Sequence, residues 1–340
     1  MELFLEPNFG KIQFWSDVVG CFLGAVVTSV LIWTIFRATD QRFKEYSHLI
    51  LISAIFDLFL ALVQLCTQHQ IVFIDNILYV MPQSPVECRV FEHFGSIFVF
   101  FHVFTTFYGL LILPGSIPPP VSIDTFNFSG HASSKNLARN LFLTVMVGFG
   151  MAFIVYLSTK KSLARGRDYY LAFIPETPIY QNVRNEFLYV NDPEDWETAV
   201  FFKGLFHLNL LSYLVVLFYA FKSWRWVNSI EKSSKKTKGQ QKQFSMCLLM
   251  QTFNTTVFAF IPMSLPSVAL VICEDVIASG FWTMVLFSWL PFSNSISIFF
   301  IVTKYREYVL SFVFKASKTK PIQLEQLPTI DTSLKRKSIY

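Results

Sequence analysis

Seven long stretches of this chain carry almost no charge, and the Lys and Arg residues between them fall on alternate connections. No other feature restricts the fold as strongly. A bilayer core about 30 Å thick is crossed by roughly 20 apolar residues at about 1.5 Å of rise each. Residues 18–36, 46–66, 94–113, 141–157, 204–221, 244–273 and 276–303 suit that requirement. Hydrocarbon offers no partner to backbone N–H and C=O groups, so each stretch has to be a helix. A soluble core of 340 residues does not bury seven such segments. The expected fold is all-α: a seven-helix membrane bundle within residues 1–315. It ends in a short membrane-surface helix at 304–315, and a polar, disordered tail follows at 316–340.

The basic residues orient the bundle. With the N-terminus outside, most of the 28 Lys and Arg residues lie on inner connections: Arg37, Arg42 and Lys44, then Lys135 and Arg139, then the run at 222–243 and the tail from Lys304. Those left outside fall mostly in 158–203, interleaved with acids from Asp168 to Glu197. The positive-inside rule then places the N-terminus outside and the C-terminus in the cytoplasm. Residues 1–11 lack a basic leader, so the first stretch reads as an uncleaved anchor. The sequon Asn127-Phe128-Ser129 falls on an inner connection in this arrangement and should stay bare.

Composition narrows the function. The chain is 53% hydrophobic, 15% charged and holds 39 Phe, and its net charge of +5 sits on the inner side. Bases placed there meet anionic lipid or a cytoplasmic protein, so no nucleic-acid partner is expected. There is no paired His or Cys metal motif, no Gly-rich phosphate loop and no Gly-x-Ser-x-Gly elbow. Neither enzymatic activity, a cofactor nor a metal is expected. A pump or ion-coupled carrier needs several intramembrane acids and bases facing one another, and only Asp57 lies inside the stretches. A ligand-gated channel or small-solute transporter is the alternative, but it needs a polar stripe along a pore. Of the five cysteines, Cys21, Cys66 and Cys247 read as packing residues. Cys88 and Cys273 form the one candidate bridge, which spacing alone does not establish.

Several residues stand out as sites. Asp57 lies about 16 Å into its helix, near the midplane, with Asn294 at a similar depth in the seventh stretch. Either the two belong to a switch-related polar cluster, or a protonated Asp57 serves packing alone. Pro262, Pro266 and Pro291 each remove a helical hydrogen bond and impose a kink, static or mobile. His102 lies mid-span in the third stretch with Thr105 one turn below, while toward the outer side Lys203 and His207 share one face at the top of the fifth. These four are the candidate ligand contacts, although Lys203 also suits snorkelling to the interface. The many Phe residues point to an apolar cavity for a small, largely hydrophobic molecule. Between the stretches, residues 114–140 read as a Pro-rich loop, 158–203 as a long outer loop and 222–243 as a polar basic connection.

Three segments carry a family resemblance. Tyr46-Ser-His-Leu-Ile-Leu-Ile-Ser-Ala-Ile-Phe-Asp57-Leu is similar to the second helix of nematode serpentine chemoreceptors of the Str/Srd type. Gln240-Gln-Lys-Gln-Phe-Ser-Met-Cys-Leu-Leu-Met-Gln251-Thr, followed by Pro262, resembles their basic lead into the sixth helix. Pro291-Phe-Ser-Asn294 through Lys304-Tyr305-Arg306 resembles the close of their seventh. The resemblance implies a G-protein-coupled receptor in the plasma membrane of sensory neurons, in the cilium. Its partners would be an odorant or water-soluble cue and a heterotrimeric G protein. Tyr108, Lys235, Lys236, Lys238, Lys242 and Arg306 would face the G protein. The chain departs from the family pattern after Phe107-Tyr108, where Gly109 stands in place of an arginine.

Overall fold

Apolar runs flanked by good helix formers propagate as helix beyond the apolar residues themselves, because each added residue gains a backbone bond once a turn exists. That rule accounts for the principal differences between the expected stretches and the helices of the computed structural model. The structure describes residues 7–39, 44–75, 77–82, 100–105, 130–176, 180–187, 189–192, 194–229, 235–265 and 277–317. In chain order come α1 (Pro7–Ala38), α2 (Lys44–Thr67), β1 (His69–Ile74), β2 (Ile77–Pro82) and helical residues 100–105, labelled α3. Next are α4 (Gly130–Arg165), α5 (Arg167–Leu171), α6 (Gln181–Glu186), β3 (Tyr189–Asn191) and α7 (Trp196–Ser229). Helix α8 (Lys235–Thr255) passes through a π-helical turn at Thr256–Phe260 into helical residues 261–265. Then follow α9 (Ile277–Ser288), α10 (Leu290–Ile301) and α11 (Thr303–Ser317).

Among the described residues, four helical segments are long and apolar enough to cross a membrane: Gly10–Ala38, Ser47–Thr67, Leu141–Arg165 and Gly280–Ile301. The first starts well before residue 18 and takes Asp17 into its interior. Helix α7 covers the fifth expected stretch, and α8 with its π turn covers much of the sixth. Three expected connections need correction. Residues 130–140, read as part of a Pro-rich loop, form the first turns of α4. The basic connection 222–243 is helical at both ends, in α7 and α8. The described residues of 158–203, expected as a long outer loop, form a folded unit of short helices and a strand between two long helices.

That unit is organised by a three-stranded antiparallel sheet in the order β1-β2-β3. Ile74 pairs with Ile77, and Asp75 directly after β1 adopts φ 50°; Asp tolerates that left-handed conformation better than most side chains. Tyr79 faces Val190 across β2 and β3. Side chains alternate between two faces. Val72, Ile74, Tyr79, Met81 and Val190 pack with Tyr170, Ile174, Val183 and Phe187 from the 158–203 segment. Phe73, Leu78, Val80 and Tyr189 pack on the other face with Val155 of α4. Both faces of the sheet are therefore covered, which is what makes it stable at this size.

One face of α4 ties the unit down over three successive turns. Ser158 Oγ donates to Asn191 Oδ1 at 3.1 Å, Ser162 Oγ accepts from the Val190 N–H at 3.2 Å, and Arg165 binds Asp192 at 3.1 Å and Asp195 at 2.6 Å. Lys161 adds Asp195 at 2.6 Å and Glu197 at 3.3 Å. The Asp195 carboxylate is almost fully buried while Arg165 and Lys161 stay partly exposed, so the network fixes the start of α7 against α4 by geometry, with its charges still screened by water on the cationic side.

The sheet also lies on the helix bundle. A Cβ at Gly280 of α9 would overlap the Ile71 carbonyl, so only glycine lets β1 approach so closely. At the opposite end, Leu31 and Ile35 of α1 pack with Ile50 and Ala54 of α2, Cys247 of α8, Ile298 of α10 and Tyr305 of α11. The Tyr305 hydroxyl lies 3.1 Å from Thr39 Oγ1, and Trp33 of α1 meets Tyr308 and Phe312. These contacts fold α11 back against α1.

Candidate functional site

A layer of buried polar side chains crosses the middle of the bundle. Asn294 of α10 directs Nδ2 to both oxygens of Asp57 of α2, at 3.3 Å each, and both residues are buried. Thr28 of α1 meets Ser295 through hydroxyls 2.7 Å apart. Asn254 of α8 donates to the Ser293 carbonyl at 2.9 Å and to Ser297 Oγ at 3.0 Å. Gln251 donates to Ser53 Oγ at 3.3 Å. Four helices, α1, α2, α8 and α10, are thus joined by hydrogen bonds rather than apolar packing alone. Among the described residues Asn294 Oδ1 has no hydrogen-bond partner, so the layer is incompletely satisfied and has capacity to rearrange.

The layer sits beside two interruptions of helix. Trp289 separates α9 from α10, with Pro291 in the first turn of α10, where its missing N–H costs nothing. Gly24 of α1 packs against Pro291, where an added Cβ would come within 3.1 Å of the proline ring. In α8 the π turn ends next to Pro262, whose ring cannot fit a regular turn. The Pro262 carbonyl receives the Thr283 hydroxyl of α9 at 2.8 Å. Its usual donor four residues on would be Pro266, which has no N–H to give. Pro266 itself lies outside the described residues.

On the sheet side of the layer, His102 of α3 is buried, with Nδ1 3.4 Å from Thr67 Oγ1. The Thr67 hydroxyl is also 3.0 Å from the Val63 carbonyl, to which it donates. The His102 ring packs edgewise on Phe287, centroids 6.3 Å apart. Thr105 Oγ1 is engaged by its own helix, donating toward the His102 carbonyl at 2.8 Å. Lys203 and His207 are exposed, and His207 Nδ1 lies 2.7 Å from the Lys203 carbonyl. No hydrogen bond among the described residues joins that pair to His102.

At the far end Arg306 is exposed and donates to the Phe300 carbonyl at 3.3 Å, capping the last turn of α10. Lys235, Lys236, Lys238 and Lys242 lie on α8, but their side chains are outside the described residues, as are Tyr108, Gly109, Asn127, Cys88 and Cys273. Cys66, read as packing, is exposed. Asp17 of α1 and Gln64 of α2, which do not stand out in the sequence, are both buried. The available signal was helical spacing: Gln13, Asp17, Cys21, Gly24, Thr28, Leu31 and Ile35 form one stripe that continues before residue 18.

Long apolar helices joined by a buried polar layer beside proline-interrupted segments define a multi-pass helical membrane protein. The profile of the family described as serpentine type 7TM GPCR chemoreceptor Str matches residues 13–117 and 127–310. The chain belongs to that family, which is a family of receptors rather than enzymes. No curated protein matches the chain.

Proposed function

We propose that this chain is a chemosensory G-protein-coupled receptor of the plasma membrane, with seven spanning helices, its N-terminus outside and its sheet unit over the outer end. It binds a small, largely apolar cue between His102, Thr67 and Phe287 and signals to a heterotrimeric G protein at the opposite end. The observation that carries this reading is the Asp57–Asn294 contact, held within a polar layer beside the breaks at Trp289 and Pro262. A cue seated on Phe287 touches α9 two residues before its break, so it favours one arrangement of α10 over another. Only a cue with different affinity for the two arrangements shifts their populations, and about 5.5 kcal/mol of difference inverts a 1:99 ratio. The basic residues of α8, Tyr108 and Arg306 would meet the G protein, and a sensory cilium is the fitting location.

Gly109 bears on signal output. A cation there would restrain the resting state and then reach the G protein, whereas glycine offers no side chain and loosens a helix by about 1 kcal/mol relative to Ala. The test is expression with a promiscuous G protein and a screen of volatile and water-soluble cues. Weak cue-dependent signalling is expected, strengthened by Gly109→Arg. Absence of any response in both forms, at normal surface levels, would overturn the receptor reading.

A further inference from the structure

The sheet-side half of the bundle holds a second buried carboxylate. Asp17 has no exposed surface and lies one turn before Cys21 on the face of α1 that meets α9. Register there is fixed by Cys21 Sγ, 3.9 Å from the Ser288 carbonyl, and by Trp289 Nε1, which donates to Ser16 Oγ at 3.1 Å. Ser288 and Gln13 stand beside the carboxyl, but the Ser288 hydroxyl donates to the Val285 carbonyl at 2.8 Å. Neither Asp17 oxygen has a hydrogen-bond partner among the described residues, and none of the ion pairs found there includes Asp17.

Gln64 of α2 faces the same helix, α9. Its Nε2 faces Met284 Sδ at 3.9 Å, and Met284 lies one turn before Ser288 on α9, as Asp17 lies one turn before Cys21 on α1. Gln64 Oε1 also has no partner among the described residues, although Gln64 is only 1% exposed. Three acceptor atoms, on two helices that both lie against α9, therefore have no hydrogen-bond partner among the described residues. An unpaired carboxylate out of water is among the costliest arrangements in a membrane helix and marks a site by default.

We propose that Asp17 and Gln64 receive the ammonium group of a small amine, its three N–H bonds directed to Asp17 Oδ1, Asp17 Oδ2 and Gln64 Oε1. This rests on the chemoreceptor reading and gives the cue its chemical class: an apolar body with a primary ammonium head. The body lies toward Met284, Phe287 and Leu60, all buried, with Leu60 and Phe287 in one apolar cluster. A divalent metal fits less well, because it demands six or more oxygen ligands. Among the described residues no group of three His, Cys, Asp or Glu side chains gathers to hold one. Asp17 is closed off in this arrangement, so the amine enters as α1 and α9 part next to the break at Trp289. It thereby binds the opened arrangement in preference to the closed one.

The test uses the full chain in lipid nanodiscs without a G protein, followed by thermal unfolding. Isopentylammonium chloride, isopentyl alcohol and sodium chloride are compared at neutral pH and matched ionic strength. Isopentylammonium should raise Tm saturably, with a midpoint about tenfold below that of the alcohol, while sodium has no effect. Asp17→Asn removes the buried charge at constant shape and should abolish the ammonium shift; Asp17→Ser serves the same comparison, and Gln64→Leu should weaken the shift several-fold. No saturable shift would overturn the proposal. So would an equal shift from the alcohol or from sodium, an undiminished shift in both Asp17 variants, or an Asp17-dependent shift produced by acid alone. An ammonium shift without G-protein signalling in cells would instead overturn the receptor reading and leave this site standing. Signalling to uncharged cues without an ammonium shift would do the reverse.

Discussion

Asn294 commits its amide to the Asp57 carboxyl, and that choice makes the pair sensitive to one atom. Asp57→Asn keeps the shape and an acceptor oxygen, so the chain should reach the surface normally while its signalling changes. Asp57→Leu strands the Asn294 amide in a low-dielectric interior at about 1–3 kcal/mol and should lower surface expression. Surface immunostaining and a G-protein reporter check both; wild-type behaviour in the two variants would reduce Asp57 to a packing residue. Asp57 was legible in the sequence because a lone acid in an apolar run is costly. Asp17 was not, because it stands one position before the uninterrupted apolar run and looks like its border. Burial in α1 depends on the helical stripe and on α9 lying against it, and only the stripe is written in the sequence.

The sheet unit is the element that the sequence concealed, and it carries its own titration. The Tyr79 phenol is buried, and its hydroxyl lies 3.2 Å from the Tyr170 carbonyl. Burial, followed by the charge of Asp75, pushes its pKa up from the ordinary value of 10.0. The folded state therefore keeps a proton that the unfolded state releases above that value. Stability contributed here is complete below about pH 10 and is lost as pH rises further. Hydrogen exchange of residues 69–82 should accelerate above about pH 10 in the wild-type chain and much less in Tyr79→Phe; equal acceleration in both would assign the loss elsewhere. Residues 158–203 looked like a loop because their polar side chains are spread along the chain. They fold because Ser158, Ser162 and Arg165 fall on one face of α4 and meet partners from β3 and the start of α7. Periodicity reveals the face but not the partners, which lie some 30 residues away in sequence.

At the scale of the whole molecule, topology is set by charge and apolar length. On the proposed orientation, with the N-terminus outside, Asn127 would lie in the cytoplasm. Protein from cells should therefore show no mass shift on treatment with an N-glycosidase, and a glycan at Asn127 would overturn the orientation or the span count. Family membership, the apolar character of the helices and the candidate switch pair Asp57 and Asn294 could all be read from the sequence. Each is governed by local physics: the thickness of hydrocarbon, the cost of a bare backbone bond and the cost of a lone charge. Tertiary structure decided what depends on two distant segments meeting. It placed the sheet against Gly280, broke the seventh stretch at Trp289, joined Thr283 to the carbonyl of Pro262 and enclosed Asp17 between helices. Sequence states what each residue cannot afford to expose, whereas the partner that satisfies it is chosen only when the helices pack.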